Sequence, residues 1–249
     1  MTSRSATAHI QDSEGGRAVV RRAGAGTDYS PRSAGLRVRR WLLVASPVLA
    51  GLFAILGAAA DPAVGQDGVV LWQAYTENPE SLQFKSFGFH WAYSFWMLPT
   101  LLIAGLVRGR GVWIANAAAL IGFVGLSTLP GLLFVDFYDS AIGQVAGVAT
   151  TAKVNETMAG MWGVPAIATP GIFGFIVGLP LAAMAAWRAG LVRWWGPVGV
   201  VAGFLAFGLS GVAVWGTVLT TVCFTVFAYE LARGTDPDRR PGVPKDSGL

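Results

Sequence analysis

A run of twenty residues without an ionisable side chain, Trp41 to Ala60, most constrains how this chain folds. Arg37, Arg39 and Arg40 stand directly before it. At a rise of about 1.5 Å per residue, such a helix spans a bilayer hydrocarbon core of roughly 30 Å. Hydrocarbon offers the backbone no hydrogen-bond partner, and arginine resists transfer across it. The stretch therefore predicts a transmembrane helix whose N-terminal side is cytoplasmic.

The same stretch has some features of a cleaved export signal. Arg39-Arg40 before Trp41 resembles a twin-arginine signal, and Ala58 to Ala60 resembles a small-residue cleavage site. However, a signal core has roughly 7–15 apolar residues, and the forty residues before this run are long for the leading segment of a signal. An uncleaved first helix is the preferred interpretation.

Composition indicates a polytopic membrane protein. Only 13% of the 249 residues are charged, whereas soluble domains have about 25%. The net charge of +4 does not indicate nucleic-acid binding, because the cations lie in tails and short loops beside apolar segments. A single cysteine, Cys223, excludes an intrachain disulfide and a multi-cysteine metal site. The excess of arginine over lysine, with abundant Ala, Gly and Val, indicates a bacterial chain, for which we expect the plasma membrane.

Hydropathy and charge together predict an all-α bundle of six transmembrane spans. The 33 uncharged residues from Pro197 would form a helix near 50 Å long, so they are divided into two spans. Six spans place 16 of the 18 Lys and Arg residues on the cytoplasmic side and leave Lys85 and Lys153 outside. The predicted spans are 41–60, 88–107, 112–134, 167–187, 196–213 and 216–232, with outer loops at 61–87 and 135–166 and disordered cytoplasmic tails at 1–40 and 233–249.

The outer loops are predicted to lie partly along the membrane surface. In the first loop, Trp72 and Tyr75 are amphipathic aromatics typical of the interface. In the second, apolar residues recur at helical spacing from Ile142 through Val145 to Ala152, which predicts a short interfacial helix.

The span centres contain no ionisable side chain, which argues against a proton-coupled carrier. Polar groups there include Asn116, Ser127 and Thr128. Such groups usually bond to their own or a neighbouring helix, although they would also serve as the sparse lining of an uncoupled permease.

Three polar residues near the outer interface form the candidate site. His90 begins the second span, and Asp136 and Asp139 follow the third, so antiparallel packing places them at one depth. One histidine with carboxylates can ligate a divalent cation or act as base and acid, or these can be ordinary helix-end groups facing water. There is no HExxH spacing and no second membrane histidine, so we expect no cofactor or metal. We expect His90 to face the bundle close to Asp136 or Asp139.

Two small-residue pairs predict close helix packing. Gly174 and Gly178 form a GxxxG pair in the fourth span, and Gly199 and Gly203 form one in the fifth. Such pairs allow helix backbones to approach where lipid supplies no hydrophobic drive. Because the two pairs are on consecutive spans, packing within one chain is favoured over dimerisation.

These features favour a non-enzymatic membrane component that acts through the lipid bilayer or a membrane protein partner. The alternatives are an uncoupled small-molecule permease or channel, and then an outer-face enzyme that uses His90 with Asp136 or Asp139. A filled bundle interior would favour the first class, and a polar cavity reaching mid-bilayer would favour the permease. Convergence of His90 with Asp136 or Asp139 would favour the enzyme.

Overall fold

The computed structural model describes residues 31–236, and in this range the chain is all-α without a strand. Of the predicted tails 1–40 and 233–249, residues 1–30 and 237–249 lie outside the described residues. The helices are α1 (Pro31–Ala60), α2 (Gly68–Glu77), α3 (Pro79–Ala104), α4 (Val112–Leu132), α5 (Phe134–Ala146), α6 (Val148–Ala159), α7 (Gly163–Arg188), α8 (Trp195–Leu209) and α9 (Val214–Gly234).

The helices extend beyond the apolar segments that the sequence marks. α1 begins at Pro31 and not at Trp41, and α3 begins at Pro79 and not at Gly88. Pro79 takes the first position of α3 and Glu80 lies in its first turn, both favourable at a helix N-terminus. Hydropathy identifies the part of a helix that suits lipid, but it does not locate the ends of the helix.

Six helices pack side by side into a bundle. α3 is the central helix and contacts α1, α4 and α7. The bundle is completed by α4 against α7, α1 against α9, and α8 against both α7 and α9. Because α3 is covered by three neighbours, polar side chains on it need not face lipid.

Arginine side chains of α1 join three helix ends at one end of the bundle. Arg39 Nη2 donates to the carbonyl of Leu102, near the end of α3, at 3.1 Å. Arg40 Nη2 donates to the carbonyl of Ala232, near the end of α9, at 2.9 Å, and lies 3.9 Å from Asp236. The start of α1 therefore lies beside the ends of α3 and α9. We call this the basic end.

The other three bundle helices also have an end here. The Arg193 backbone N–H, just before α8, donates to Oε2 of Glu230 on α9 at 3.3 Å. A Cβ on Gly111, just before α4, would lie 2.9 Å from the carbonyl oxygen of Ala185 near the end of α7. The α3–α4 and α7–α8 connections thus meet the start of α1 and the end of α9, so consecutive bundle helices run antiparallel.

The remaining helices α2, α5 and α6 form a cap at the opposite end. α2 packs against α5 and α6, and α5 packs against α6. Only Leu133 separates α4 from α5, and the two run on over 35 residues, Val112–Ala146. That length is about 52 Å, well beyond a bilayer core, so α5 projects from the apolar part of the bundle. The predicted outer loops 61–87 and 135–166 are therefore largely helical.

Aromatic rings fill the centre of the bundle. The indole of Trp96 on α3 is 1% exposed. Its ring centroid lies 4.6 Å from that of Phe175 on α7, 5.2 Å from Phe204 and 5.0 Å from Phe207 on α8, and 5.0 Å from Phe224 on α9. These edge-to-face and stacked contacts join four helices across the interior.

The outer surface of the bundle is largely apolar. Large exposed side chains there include Leu52, Leu120, Phe123, Phe173, Ile176, Leu205, Leu219 and Val222. Within residues 31–236, four segments are long and apolar enough to cross a membrane, and α8 is a shorter apolar helix. The four segments are Ala34–Ala60, Val112–Ala146, Gly163–Arg188 and Val214–Gly234. The prediction of an all-α chain with helices suited to a membrane is confirmed at this level.

Candidate functional site

A buried ion pair lies where the cap meets the bundle. Lys85 of α3 is 7% exposed, and its Nζ contacts Oδ2 of Asp136 on α5. The same Nζ donates to the hydroxyl oxygen of Tyr75 on α2 at 2.8 Å. One ammonium group therefore joins α2, α3 and α5.

The backbone positions these three groups. In α3, Lys85 follows Leu82 by three residues and precedes Phe89 by four, and all three are buried. This spacing places Lys85 on the helix face that packs inward. On the cap side, Ser140 Oγ donates to the carbonyl of Tyr75 at 2.7 Å and fixes α2 against α5.

Burial determines the electrostatics of the pair. An isolated buried ammonium is strongly unfavourable, so Lys85 requires the Asp136 carboxylate. Burial raises the pKa of the Tyr75 hydroxyl to about 12, because the phenolate would lose its hydration, although the Lys85 charge acts in the opposite direction. Tyr75 therefore remains a neutral phenol at ordinary pH and accepts a hydrogen bond from the ammonium.

Asp139 serves a separate connection within the cap. Asn155 Nδ2 on α6 donates to Oδ1 of Asp139 at 2.7 Å. The hydroxyl of Thr151 also donates to the Asp139 backbone carbonyl at 3.3 Å. Asp139 thus holds α6 to α5, whereas Asp136 holds α5 to α3.

His90 is separate from both carboxylates in its bonding. Its Nδ1 lies 3.4 Å from the carbonyl oxygen of Pro130, longer than an ordinary hydrogen bond. In residues 34–236, neither Asp136 nor Asp139 forms an ion pair with His90. Asp136 pairs with Lys85 instead, because Lys85 lies on the buried face of α3 and His90 lines a groove on its surface.

Hydropathy places Lys85 in the predicted outer loop 61–87, so sequence reasoning does not bring it into the candidate site. The signal was available in Asn78-Pro79-Glu80, which is typical of a helix start. A helix from Pro79 would have placed Lys85 in phase with the core residues that follow it.

The arrangement is suited to fastening and not to acid–base chemistry, since ammonium and carboxylate satisfy each other. A cavity of about 390 Å³ adjoins the pair and is lined by Asp61, Gln66 and Tyr93 among others. Within the described range, no group of three His, Cys, Asp or Glu residues is arranged to hold a metal ion. Cys223 is half-buried with a free thiol.

The glycines of the two GxxxG pairs lie at helix contacts within the chain, each pair against a different helix. A Cβ on Gly174 would lie 2.5 Å from the backbone nitrogen of Gly125 on α4, and one on Gly178 would lie 3.1 Å from the Cα of Gly122. The pair on α7 thus faces α4.

The second pair lies on α8 and faces α9. A Cβ on Gly203 would lie 2.9 Å from the ring of Phe224, whereas one on Gly199 would be 3.6 Å from the nearest atom, the Cys223 carbonyl oxygen. Gly203 is therefore in close contact and Gly199 has more room.

Comparison with protein-family models, with characterised proteins and with solved structures gives no match for this chain.

Proposed function

We propose that this protein is a non-enzymatic component of a bacterial plasma membrane, with six membrane-crossing helices and both termini in the cytoplasm. In this proposal the cap of α2, α5 and α6 faces outward and acts on a membrane protein partner or on lipid. The basic end faces the cytoplasm.

The placement of α3 and α8 supports six crossings. Both lie inside a bundle whose other four members are long and apolar. α3 has three helical neighbours, so it tolerates a more polar sequence than a lipid-exposed helix. α8 has 15 residues and is about 22 Å long, which is shorter than a bilayer core of roughly 30 Å. Local bilayer thinning, or the flanking Trp194 and Trp195 at the interface, would accommodate this difference in length.

The charge distribution supports the orientation. Arg39, Arg40 and Arg193 lie at the basic end with the α3–α4 and α7–α8 connections. Basic residues in short loops and beside helix ends favour the cytoplasmic side.

The filled interior is the observation that carries the functional class. Rings around Trp96 occupy the centre of the bundle, where a permease would need a polar path. The polar residues considered for such a path do not converge, because Asn116 and Ser127 are exposed on α4 and Ser127 bonds to its own helix. Thr128 is half-buried against Gly171.

The cap offers the surface for interaction. Val145 on α5 is 90% exposed, Tyr138 is 68% exposed, and Trp162 just before α7 is 85% exposed. Exposed aromatic and branched side chains at one end of a membrane bundle suit a protein partner or the lipid headgroup region.

A solute-flux assay tests the functional class. Proteoliposomes should swell in glycerol or urea at the rate of protein-free liposomes. Faster swelling that Asn116→Leu or Ser127→Leu abolishes would instead establish the permease, and the matched substitution Thr225→Leu, at an exposed threonine of α9, controls for general leakiness.

Cysteine labelling tests the topology in a Cys223→Ser background. An impermeant maleimide added outside intact cells should modify Val145→Cys and leave Gly35→Cys unmodified until the membrane is opened. Gly35 is a suitable site because a Cβ there meets no atom within 4 Å. Labelling of Gly35→Cys from outside would contradict the orientation.

A further inference from the structure

A groove of about 1000 Å³ lies between α3 and the junction of α4 with α5, beside the cap. Its lining side chains are largely aromatic and apolar, and several of these side chains are exposed. Phe84 is 60% exposed, Phe87 51% and Phe134 57%. No residue of the Lys85 ion pair lines it.

One side chain that lines this groove has a buried hydroxyl group without a hydrogen-bond partner. Ser86 lines the groove and is 1% exposed, yet its hydroxyl has no hydrogen-bond partner in the described part of the chain. A helical serine commonly donates to a carbonyl of the preceding turn, as Ser94 does to His90 at 2.9 Å. A buried hydroxyl without a partner is unfavourable, so Ser86 indicates an acceptor supplied by a ligand.

The groove changes polarity along its length. At the end of the groove beside the cap, the charged residue is Glu80, which lies in the first turn of α3. Gln83 lines the groove one turn further along the helix. Ser86 lies six residues after Glu80 in α3, about 9 Å along the helix axis. Beyond it the lining is mainly apolar, with Leu56, Trp91 and Pro130, and His90 is the polar residue there. A phospholipid has the same order: charged headgroup, ester carbonyls, then acyl chains.

We propose that this groove binds one diacyl phospholipid with a primary ammonium headgroup. The ammonium contacts the Glu80 carboxylate, an ester carbonyl oxygen accepts the hydrogen bond of Ser86, and an acyl chain lies against Leu56 and Trp91. The proposal rests on the membrane placement of α3 proposed above.

The chemistry of the groove favours this occupant over others. An anionic headgroup would place negative charge beside Glu80, and the lining contains neither lysine nor arginine to neutralise it. An ether lipid would fill the apolar part equally well but would offer Ser86 no carbonyl. The ester and the ammonium are therefore the two features to test.

Lipid competition measured by native mass spectrometry tests the ester contact. The full chain is exchanged into mixed micelles of dioleoyl phosphatidylethanolamine and its dialkyl ether analogue, and the lipid that remains bound is identified. We expect one bound lipid, with the diester retained about three- to tenfold over the diether, the range of a single hydrogen bond.

Two serine variants locate this preference. Ser86→Ala should bind diester and diether equally. Ser94→Ala, on the same helix but outside the groove, should keep the wild-type preference. Equal binding of the two lipids by the wild type, or the same loss in both variants, would overturn the proposal.

Headgroup competition tests the role of Glu80. Phosphatidylethanolamine should be retained over phosphatidylglycerol with equal chains, and Glu80→Gln should remove that preference, whereas Glu77→Gln on α2 should not. A wild type that retains phosphatidylglycerol at least as well would refute the ammonium contact. If Val145→Cys and Gly35→Cys label as expected but no lipid is selected, only this inference fails; if the labelling is reversed, the proposed placement fails with it.

Discussion

Removal of the Lys85 charge should detach the cap from the bundle. The Lys85 side chain is 9% exposed and that of Asp136 is 21% exposed. Loss of one partner of a buried ion pair typically destabilises a protein by about 3–5 kcal/mol, because the other charge remains without compensation. Asp136 keeps some contact with solvent, so for Lys85→Met we expect a cost at or just below the lower limit of this range, about 2–3 kcal/mol.

The double substitution separates the ion pair from packing. Lys85→Met with Asp136→Leu replaces both charges by apolar groups of similar size, which is often neutral or stabilising. We expect it to cost less than about 1 kcal/mol. Each single substitution leaves the other charge unpaired and should cost at least about 2 kcal/mol, so the coupling energy between the two positions should be at least about 3 kcal/mol.

Equilibrium unfolding in detergent micelles, with sodium dodecyl sulfate as denaturant, measures each term of this cycle. Lys153→Met, at an exposed lysine of α6, is the matched control and should change stability by less than about 0.5 kcal/mol. If the two single substitutions were additive, or if Lys85→Met behaved like Lys153→Met, the pair would not fasten the cap.

Three other substitutions test the packing and the electrostatics. Gly174→Ala would bring its Cβ to 2.5 Å from the backbone of α4 and should destabilise the protein by about 1–3 kcal/mol in chemical unfolding. Gly131→Ala is the control and should not destabilise it, because a Cβ there meets no atom within 4 Å. In the same measurement, Trp96→Ala should lower the free energy of unfolding by about 3–5 kcal/mol. Trp113→Ala should lower it by less than about 0.5 kcal/mol, because Trp113 is 83% exposed. Folding raises the pKa of the Tyr75 hydroxyl from 10.0 to about 12. The stability that this neutral phenol contributes is therefore fully present below pH 10 and is lost as the pH rises toward 12. Tyr75→Phe should therefore reduce the loss of stability between pH 10 and pH 12 by on the order of 2 kcal/mol, and an unchanged pH profile would contradict the assignment.

The candidate site shows where sequence reasoning was incomplete. His90, Asp136 and Asp139 form one predicted site because consecutive antiparallel helices bring their ends to one depth. Depth alone does not fix which helix face a side chain occupies. Asp136 pairs with Lys85, Asp139 bonds to Asn155, and His90 lines a surface groove.

The glycine pairs show the same limit on a smaller scale. Spacing identified Gly174 and Gly178 as positions for a close helix approach, but the partner helix depends on how the bundle closes. In the structure α7 packs against α4, where Gly122 and Gly125 complete the contact. A pattern within one helix carries no information about which neighbour lies against it.

The sequence alone determined the helical class and the apolar segments, because hydrocarbon accepts few other backbone arrangements and excludes charge from long stretches such as Trp41 to Ala60. The sequence alone also determined which segments are basic and which are apolar, because local composition shows this directly. Only the tertiary structure decided that Lys85 is buried, that the interior is closed around Trp96, and that the segments between apolar stretches fold into a cap. Those outcomes depend on contacts between residues far apart in the chain, and a contact of that kind leaves no periodic trace in the sequence of either partner.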